Sequence, residues 1–231
     1  EQADLGIAFD GDGDRAVFID DAGRFCQGEK SFVILLEHYL KGNVSTVVYD
    51  GKSSSIVKKT VEKLGSRSVM ERSGHAFIKR TFLETDSILA GEVSGHFFFR
   101  ELGCDDGIYA SLKIAEIIGA ADRSMSDLID NIEQTVISPD IRISMSSERA
   151  DRIIENLAGL GSDYELSFLD GVRIEFPRAW ILVRKSVTEP CITIRLEADT
   201  IREVERISRQ IFADEYTDIH QIISNTLDFI I

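Results

Sequence analysis

Three aspartates, Asp10, Asp12 and Asp14, stand within five residues, alternate with Gly11 and Gly13, and are followed by Arg15. Carboxylates crowded in this way repel one another unless a cation sits among them. The glycines let the backbone turn tightly enough for all three to converge. An all-oxygen ligand set suits a hard divalent ion, Mg²⁺ foremost. An EF-hand also begins with alternating aspartates, but it needs Gly at its sixth position and Glu at its twelfth. This chain has Arg15 and Asp21 there. The other reading is an acidic hairpin turn, because Asp-Gly is a common hairpin signal. Arg15 either neutralises the carboxylates or reaches a phosphate bound beside the metal.

A second chemically equipped stretch is Arg184-Lys185-Ser186-Val187-Thr188-Glu189-Pro190. It offers a guanidinium fork, an ammonium and two hydroxyls, the mixture of charge and directional donors that a phosphate dianion needs. As an ordinary polar turn it would have much the same composition. A third is Gly91-Glu92-Val93-Ser94-Gly95-His96. In an extended loop, residues two apart project the same way, so Glu92, Ser94 and His96 could grip neighbouring sugar hydroxyls. Otherwise it is a polar hairpin with a satisfied histidine. Lys52 and His75 follow short apolar runs, at strand-to-helix turns where ligand sites of layered α/β sheets lie. Asp105-Asp106 reads as the cap of a helix.

Those residues need elements to hold them. Leu5–Phe9 and Val17–Ile19 read as strands flanking the acidic loop. Helical periodicity runs over Gly28–Leu40, Ser53–Leu64, Ala76–Leu83 and Asp106–Ile118, alternating with short strands at Val44–Tyr49, Ser68–Glu71, Ile88–Ala90 and Phe97–Phe99. That alternation predicts a βαβ-type layered α/β domain. After about residue 137 the rhythm changes. A strand at 141–143 and a helix at 148–157 precede three closely spaced strands at 171–175, 181–183 and 191–197. The last alternates cleanly, which predicts one buried face and one solvated face. Thr200 and Glu203 suggest a capping box opening a final helix. The expected fold class is α/β: a layered domain over 23–137, an α+β domain over 138–231, and a hairpin over 1–22.

The net charge of −14 argues against nucleic acid or an anionic membrane as partner. No apolar run reaches membrane-spanning length. The first residues show neither the basic nor the apolar region of a signal peptide. Cys26, Cys104 and Cys191 are odd in number and far apart, which predicts reduced thiols and a cytoplasmic setting.

Together, and in order, the motifs resemble the α-D-phosphohexomutase family (phosphomannomutase/phosphoglucomutase). Phe9–Arg15 is similar to its metal loop, Gly91–His96 to its sugar-recognition loop, and Arg184–Pro190 to its C-terminal phosphate loop. Ser73-Gly74-His75, Asp50-Gly51-Lys52, Asp105–Tyr109 and Asp170–Arg173 match as well. The resemblance implies a four-domain architecture, of which this chain holds the tail of domain 2, all of domain 3, and domain 4. It implies reversible phosphoryl transfer between C1 and C6 of a hexose, through a phosphoserine and a bisphosphorylated intermediate. By the same resemblance, Asp10, Asp12 and Asp14 hold Mg²⁺, and Arg15, Lys52 and His75 line the transfer site. Glu92, Ser94 and His96 hold the sugar, while Arg184, Ser186, Val187 and Thr188 belong to the loop anchoring the unreacting phosphate.

Two features depart from the family pattern. Val187 stands where Asn or Gly is usual, and the serine loop ahead of His-Asn-Pro is absent from these residues. The implied consequences are no turnover by this chain alone, weak Mg²⁺ binding, and an N-terminal hairpin that disorders or pairs with another chain. A Mg²⁺-dependent phosphatase and a non-catalytic sugar-phosphate-binding module are the alternatives.

Overall fold

Successive side chains of a strand point to opposite faces, and the run Phe97-Phe98-Phe99 shows what this does in the first half of the chain. In the computed structural model, which describes residues 3–121, 123–186 and 189–227, all three rings are fully buried, but in different places. Phe97 and Phe99 join one apolar cluster and Phe98 another. Both faces of their sheet are therefore covered.

That sheet lies in the first of two units, Glu1–Glu133 and Gln134–Ile231. Its strands are β4 (Thr46–Asp50), β5 (Arg67–Glu71), β6 (Leu89–Gly91), β7 (Phe97–Phe99) and β8 (Cys104–Asp105), in the order β5-β4-β6-β7-β8. The β4–β5 and β4–β6 pairs are parallel and the rest antiparallel. Parallel neighbours need crossovers, and α2 (Ser55–Lys63) and α3 (His75–Glu84) supply them. On one face pack α1 (Gly28–Tyr39), α2 and α4 (Gly107–Ala120), through Phe32, Leu36, Val57 and Ile114. Ile78 and Phe82 of α3 fill the other. The short α5 (Met125–Asp130) opens with a reciprocal Ser124–Asp127 capping box. The layered α/β expectation holds.

Ahead of this sheet, β1 (Leu5–Phe9), β2 (Ala16–Asp20) and β3 (Phe25–Cys26) form a three-stranded antiparallel sheet. Of the two outcomes expected for residues 1–22, disorder is overturned for the described residues 3–22. Ala16 and Phe18 point inward and are 1% and 0% exposed, within the same cluster as α1 and α4. The Phe18 ring lies 6.3 Å from that of Phe97. A two-stranded ribbon alone is marginal, but this one shares its unit's core. Arg24 also ties it to α5, binding Asp20 at 2.7 Å and Asp130 at 3.0 Å.

In the second unit, β9 (Val136–Ile137), β10 (Ile141–Ser144), β11 (Glu165–Ser167), β12 (Val172–Phe176), β13 (Ala179–Lys185) and β14 (Cys191–Ala198) form one antiparallel sheet. Its order is β10-β14-β13-β12-β11, and β9 also pairs with β14. Helices α6 (Ser147–Ala158), α7 (Ile201–Phe212) and α8 (Thr217–Leu227) cover one face. The solvated second face expected for β14 is corrected: Thr193, Arg195 and Glu197 are all buried. Trp180 and Leu182 of β13 lie on that face, and Trp180 donates its indole N–H to Glu197. The Arg173 guanidinium stacks 3.9 Å from the Trp180 ring. At α7, Thr200 accepts from the Glu203 backbone N–H at 3.3 Å. Only half of the expected capping box forms, because the Glu203 carboxylate binds Arg206 instead.

Candidate functional site

The acidic loop joins β1 to β2, and one carboxylate oxygen from each of Asp10, Asp12 and Asp14 lies within 4.8 Å of the others. Such spacing fits a small oxygen-liganded cation. Asp10 anchors the turn. Its Oδ1 accepts from the backbone N–H groups of Gly13 and Arg15, and its Oδ2 accepts from Arg15 Nε at 2.5 Å. Burial acts to raise the Asp10 pKa, but the hydrogen bonds and charge of Arg15 outweigh it and hold the carboxyl below its ordinary value. Of the two roles left open for Arg15, the structure displays the neutralising one.

Two other segments clamp this loop. Ala16 N–H donates to Gly95 O at 3.1 Å, and Arg15 makes an antiparallel bridge with His96. Gly95 has φ +94°, and a Cβ there would meet Ala16 O at 2.6 Å. Both facts demand glycine. On another side, Gly107 N–H donates to Gly13 O at 3.2 Å. A Cβ on Gly107 would lie 2.7–2.9 Å from backbone atoms of Gly13 and Arg15. The acidic loop is therefore pinned between the 91–96 loop and the start of α4.

The clamp gathers side chains. His96 Nε2 lies 3.5 Å from Asp14 Oδ2 and 4.0 Å from Asp105 Oδ2. His75, first in α3, places Nε2 2.9 Å from Asp105 Oδ1, and its ring is 5.3 Å from that of His96. Ser94 Oγ lies 2.8 Å from His96 Nδ1, and Glu92 Oε1 is 3.8 Å from the same nitrogen. Burial lowers the His96 pKa, against the opposing charges of Asp14 and Asp105. Burial, then the charge of Asp50, pushes Glu92 up to about 7. Glu92 Oε1 is buried without a hydrogen-bond partner. A carboxyl tuned to that range can take or give a proton near neutral pH.

Two residues not singled out for chemistry prove central. Asp50, buried at the end of β4, accepts from the backbone N–H groups of Lys52 and Val93 (3.3 Å for the latter) and from Ser73 Oγ at 3.1 Å. It joins the loops bearing Lys52, His75 and Glu92. Asp105 was expected to help cap α4, but Asp106 does that alone, accepting from Tyr109 N–H at 2.8 Å. Asp105 instead turns to the histidines. The available signal was positional: a helix has one N-cap, so a doubled aspartate leaves one carboxylate for other work.

In the second unit, Arg184 is on β13, with Nε 3.2 Å from Asp170 Oδ1. The Ser186 N–H donates to Cys191 O at 2.9 Å, and Ser186 Oγ accepts from the Glu189 N–H at 3.2 Å. Lys185 leaves the group, its Nζ bound to Ser147 Oγ and Asp151 Oδ1, both at 2.7 Å. Val187 and Thr188 lie outside the described residues. Cys26, Cys104 and Cys191 are free thiols, and no helix among the described residues is long and apolar enough to cross a membrane.

Residues 27–136 match the family model described as phosphoglucomutase/phosphomannomutase, alpha/beta/alpha domain III, and residues 141–214 match that of the C-terminal domain. The chain is 34% identical over 227 residues to a phosphoglucomutase of Neisseria gonorrhoeae, covering 95% of this chain and 49% of that protein. It is 36% identical over 210 residues to a phosphomannomutase/phosphoglucomutase of Pseudomonas syringae pv. tomato, covering 89% and 45%. Among solved structures, a phosphoglucomutase/phosphomannomutase family protein from Burkholderia thailandensis superposes with a TM-score of 0.81 at 28% identity, over 97% of this chain and 48% of that one. The chain thus spans about half the length of the curated relatives it matches.

Proposed function

This chain belongs to the phosphoglucomutase/phosphomannomutase family of α-D-phosphohexomutases, and on that premise we propose that it serves reversible phosphoryl transfer between C1 and C6 of a hexose phosphate. Asp10, Asp12 and Asp14 would hold Mg²⁺, which when bound neutralises charge on the transferring phosphoryl group. Arg15, braced on Asp10, Lys52 and His75 line the transfer site. Glu92, Ser94 and His96 hold the sugar hydroxyls, and Glu92 is equipped to take the proton of the hydroxyl that accepts the phosphoryl group. Arg184, Ser186, Val187 and Thr188 form the loop that binds the other phosphate. The donor is a phosphoserine that the family resemblance puts outside these residues, so the chain alone turns nothing over and binds Mg²⁺ weakly. The exposed Ile7 and Phe9 of the edge strand β1 suit self-association, and the unpaired thiols suit the cytoplasm.

One observation carries this reading: the acidic loop, the 91–96 loop and the start of α4 are locked together by backbone contacts, so carboxylates, histidines and Glu92 share one place. The test mixes the chain with the serine-bearing half of a family enzyme and supplies glucose, mannose and glucosamine 1-phosphates in turn. Interconversion to the 6-phosphate supports the mutase reading and identifies the sugar. Release of inorganic phosphate would favour a phosphatase, and binding without turnover a recognition module; either would overturn it.

A further inference from the structure

We propose that Asp14, His96 and Asp105 form a second cation site, for a first-row transition-metal ion such as Zn²⁺, adjoining the aspartate triad and sharing Asp14 with it. One ligand atom from each lies within 4.8 Å of the other two. The His96 Nε2 distances to Asp14 and Asp105 are 3.5 Å and 4.0 Å, the first close to the edge of a zinc tetrahedron, about 3.4 Å for ligands at about 2.1 Å, and the second longer than it, so Asp105 must close on the ion. The Asp105 side chain is only 6% exposed. Its Oδ2, the oxygen facing His96, has no hydrogen-bond partner, and neither has Asp14 Oδ1. A buried carboxylate oxygen without a donor is costly, and a cation at this point satisfies it.

The surroundings are those of a metal site. Ligating imidazoles are fixed by a hydrogen bond at the other ring nitrogen, and ligating carboxylates by a partner at the other oxygen. Ser94 Oγ occupies His96 Nδ1 at 2.8 Å, leaving Nε2 to face the carboxylates. His75 Nε2 holds Asp105 Oδ1 at 2.9 Å, leaving Oδ2 free to ligate. The imidazole decides the class of ion: nitrogen with two carboxylates suits zinc, cobalt or nickel, while the all-oxygen triad suits magnesium. Three protein ligands leave a coordination position open.

The test is a titration of the chain with Co²⁺, followed by its visible ligand-field absorption. The expected result is one equivalent whose spectrum persists in excess Mg²⁺. His96→Gln and Asp105→Asn should each weaken it by about tenfold or more, and Asp12→Asn should leave it within about twofold. In the unsubstituted protein, Co²⁺ should broaden the NMR resonances of the His96 ring, a reading that needs no variant to fold. No binding, binding lost with Asp12 but indifferent to His96 and Asp105, or an unbroadened His96 ring would overturn the proposal. The outcome is separate from phosphoryl transfer: a chain that binds Co²⁺ here yet supports no mutase activity sinks only the functional reading.

Discussion

The two candidate loops are held by different kinds of contact. The acidic loop of the first unit is held by partners distant in sequence: Gly95 and His96 on one side, Gly107 on the other, each through backbone atoms. The 184–190 loop of the second unit spans two neighbouring strands. Among the described residues, Ser186 is tied locally, to Cys191 and Glu189, while Lys185, Glu189 and Pro190 reach Ser147, Asp151, Arg142 and Met145, and the Arg184 guanidinium faces the Asp170 carboxylate. Both loops are braced from outside, but the acidic loop by backbone atoms and the second by side chains, where the largely buried Arg184 guanidinium leans on the Asp170 carboxylate. Losing one contact should therefore cost most in the second unit.

Asp170→Ala gives the sharpest trial of that difference. Arg184 and Asp170 are 18% and 8% exposed in their side chains, so removing the carboxylate strands a largely buried guanidinium. Breaking such a pair costs about 3 kcal/mol or more, read by urea denaturation of the second unit at neutral pH. A loss below about 1 kcal/mol, the surface-pair range, would mean that other contacts hold the loop and that the contrast fails.

Next in size is a pH effect confined to the first unit. The folded chain keeps a proton on Glu92 up to about pH 7, whereas the unfolded carboxyl releases it near 4.5. Across that window the unfolded state binds fewer protons. Stability therefore falls as pH rises through it, by about 3 kcal/mol, and stays lower above it. His96, whose pKa burial lowers, contributes the opposite slope at its own titration. The measurement is thus the difference between wild type and Glu92→Gln from pH 4.5 to 8. Parallel curves would show that Glu92 is not desolvated as the clamp requires.

Gly107→Ala attacks the clamp directly and should cost about 2 kcal/mol by overpacking, because its Cβ would meet backbone rather than a movable side chain. The loss should come with weaker Mg²⁺ binding in a calorimetric titration, since the atoms in the way belong to the acidic loop. Destabilisation with unchanged Mg²⁺ affinity would separate the loop from α4.

The same contrast explains what could be read in advance. Contiguous signals were legible: the Asp-Gly alternation at 10–14 and the strand–helix rhythm to residue 118. Contacts between segments were not. Nothing local says that Asp105 turns to His75 while Asp106 caps α4, or that Asp50 ties three loops together. The two-residue strands β3, β8 and β9 carry no periodicity. Helix α8 had a readable stripe, Ile219, Ile223 and Leu227, all buried, which the strand-rich reading of the second domain passed over. On β14 the alternation was real, but Glu197 is buried against Trp180, which stacks with Arg173, and Arg195 is buried opposite Leu182. Polar residues mark a solvated face only when no partner neutralises them.

The smallest effect has the opposite sign and comes from the same helix. Gly119 lies near the C-terminal end of α4, where an added Cβ meets nothing within 4 Å and φ is not positive. Gly119→Ala should therefore stabilise by about 0.5 kcal/mol, through lower chain entropy when unfolded and better helix propensity, and leave Mg²⁺ binding unchanged. Thermal melts of both variants compare the ends of one helix. If Gly119→Ala also destabilised, the cost at Gly107 would reflect how α4 as a whole tolerates substitution. Opposite signs would locate that cost where Gly107 meets the acidic loop, so that one glycine serves the site and the other only the chain.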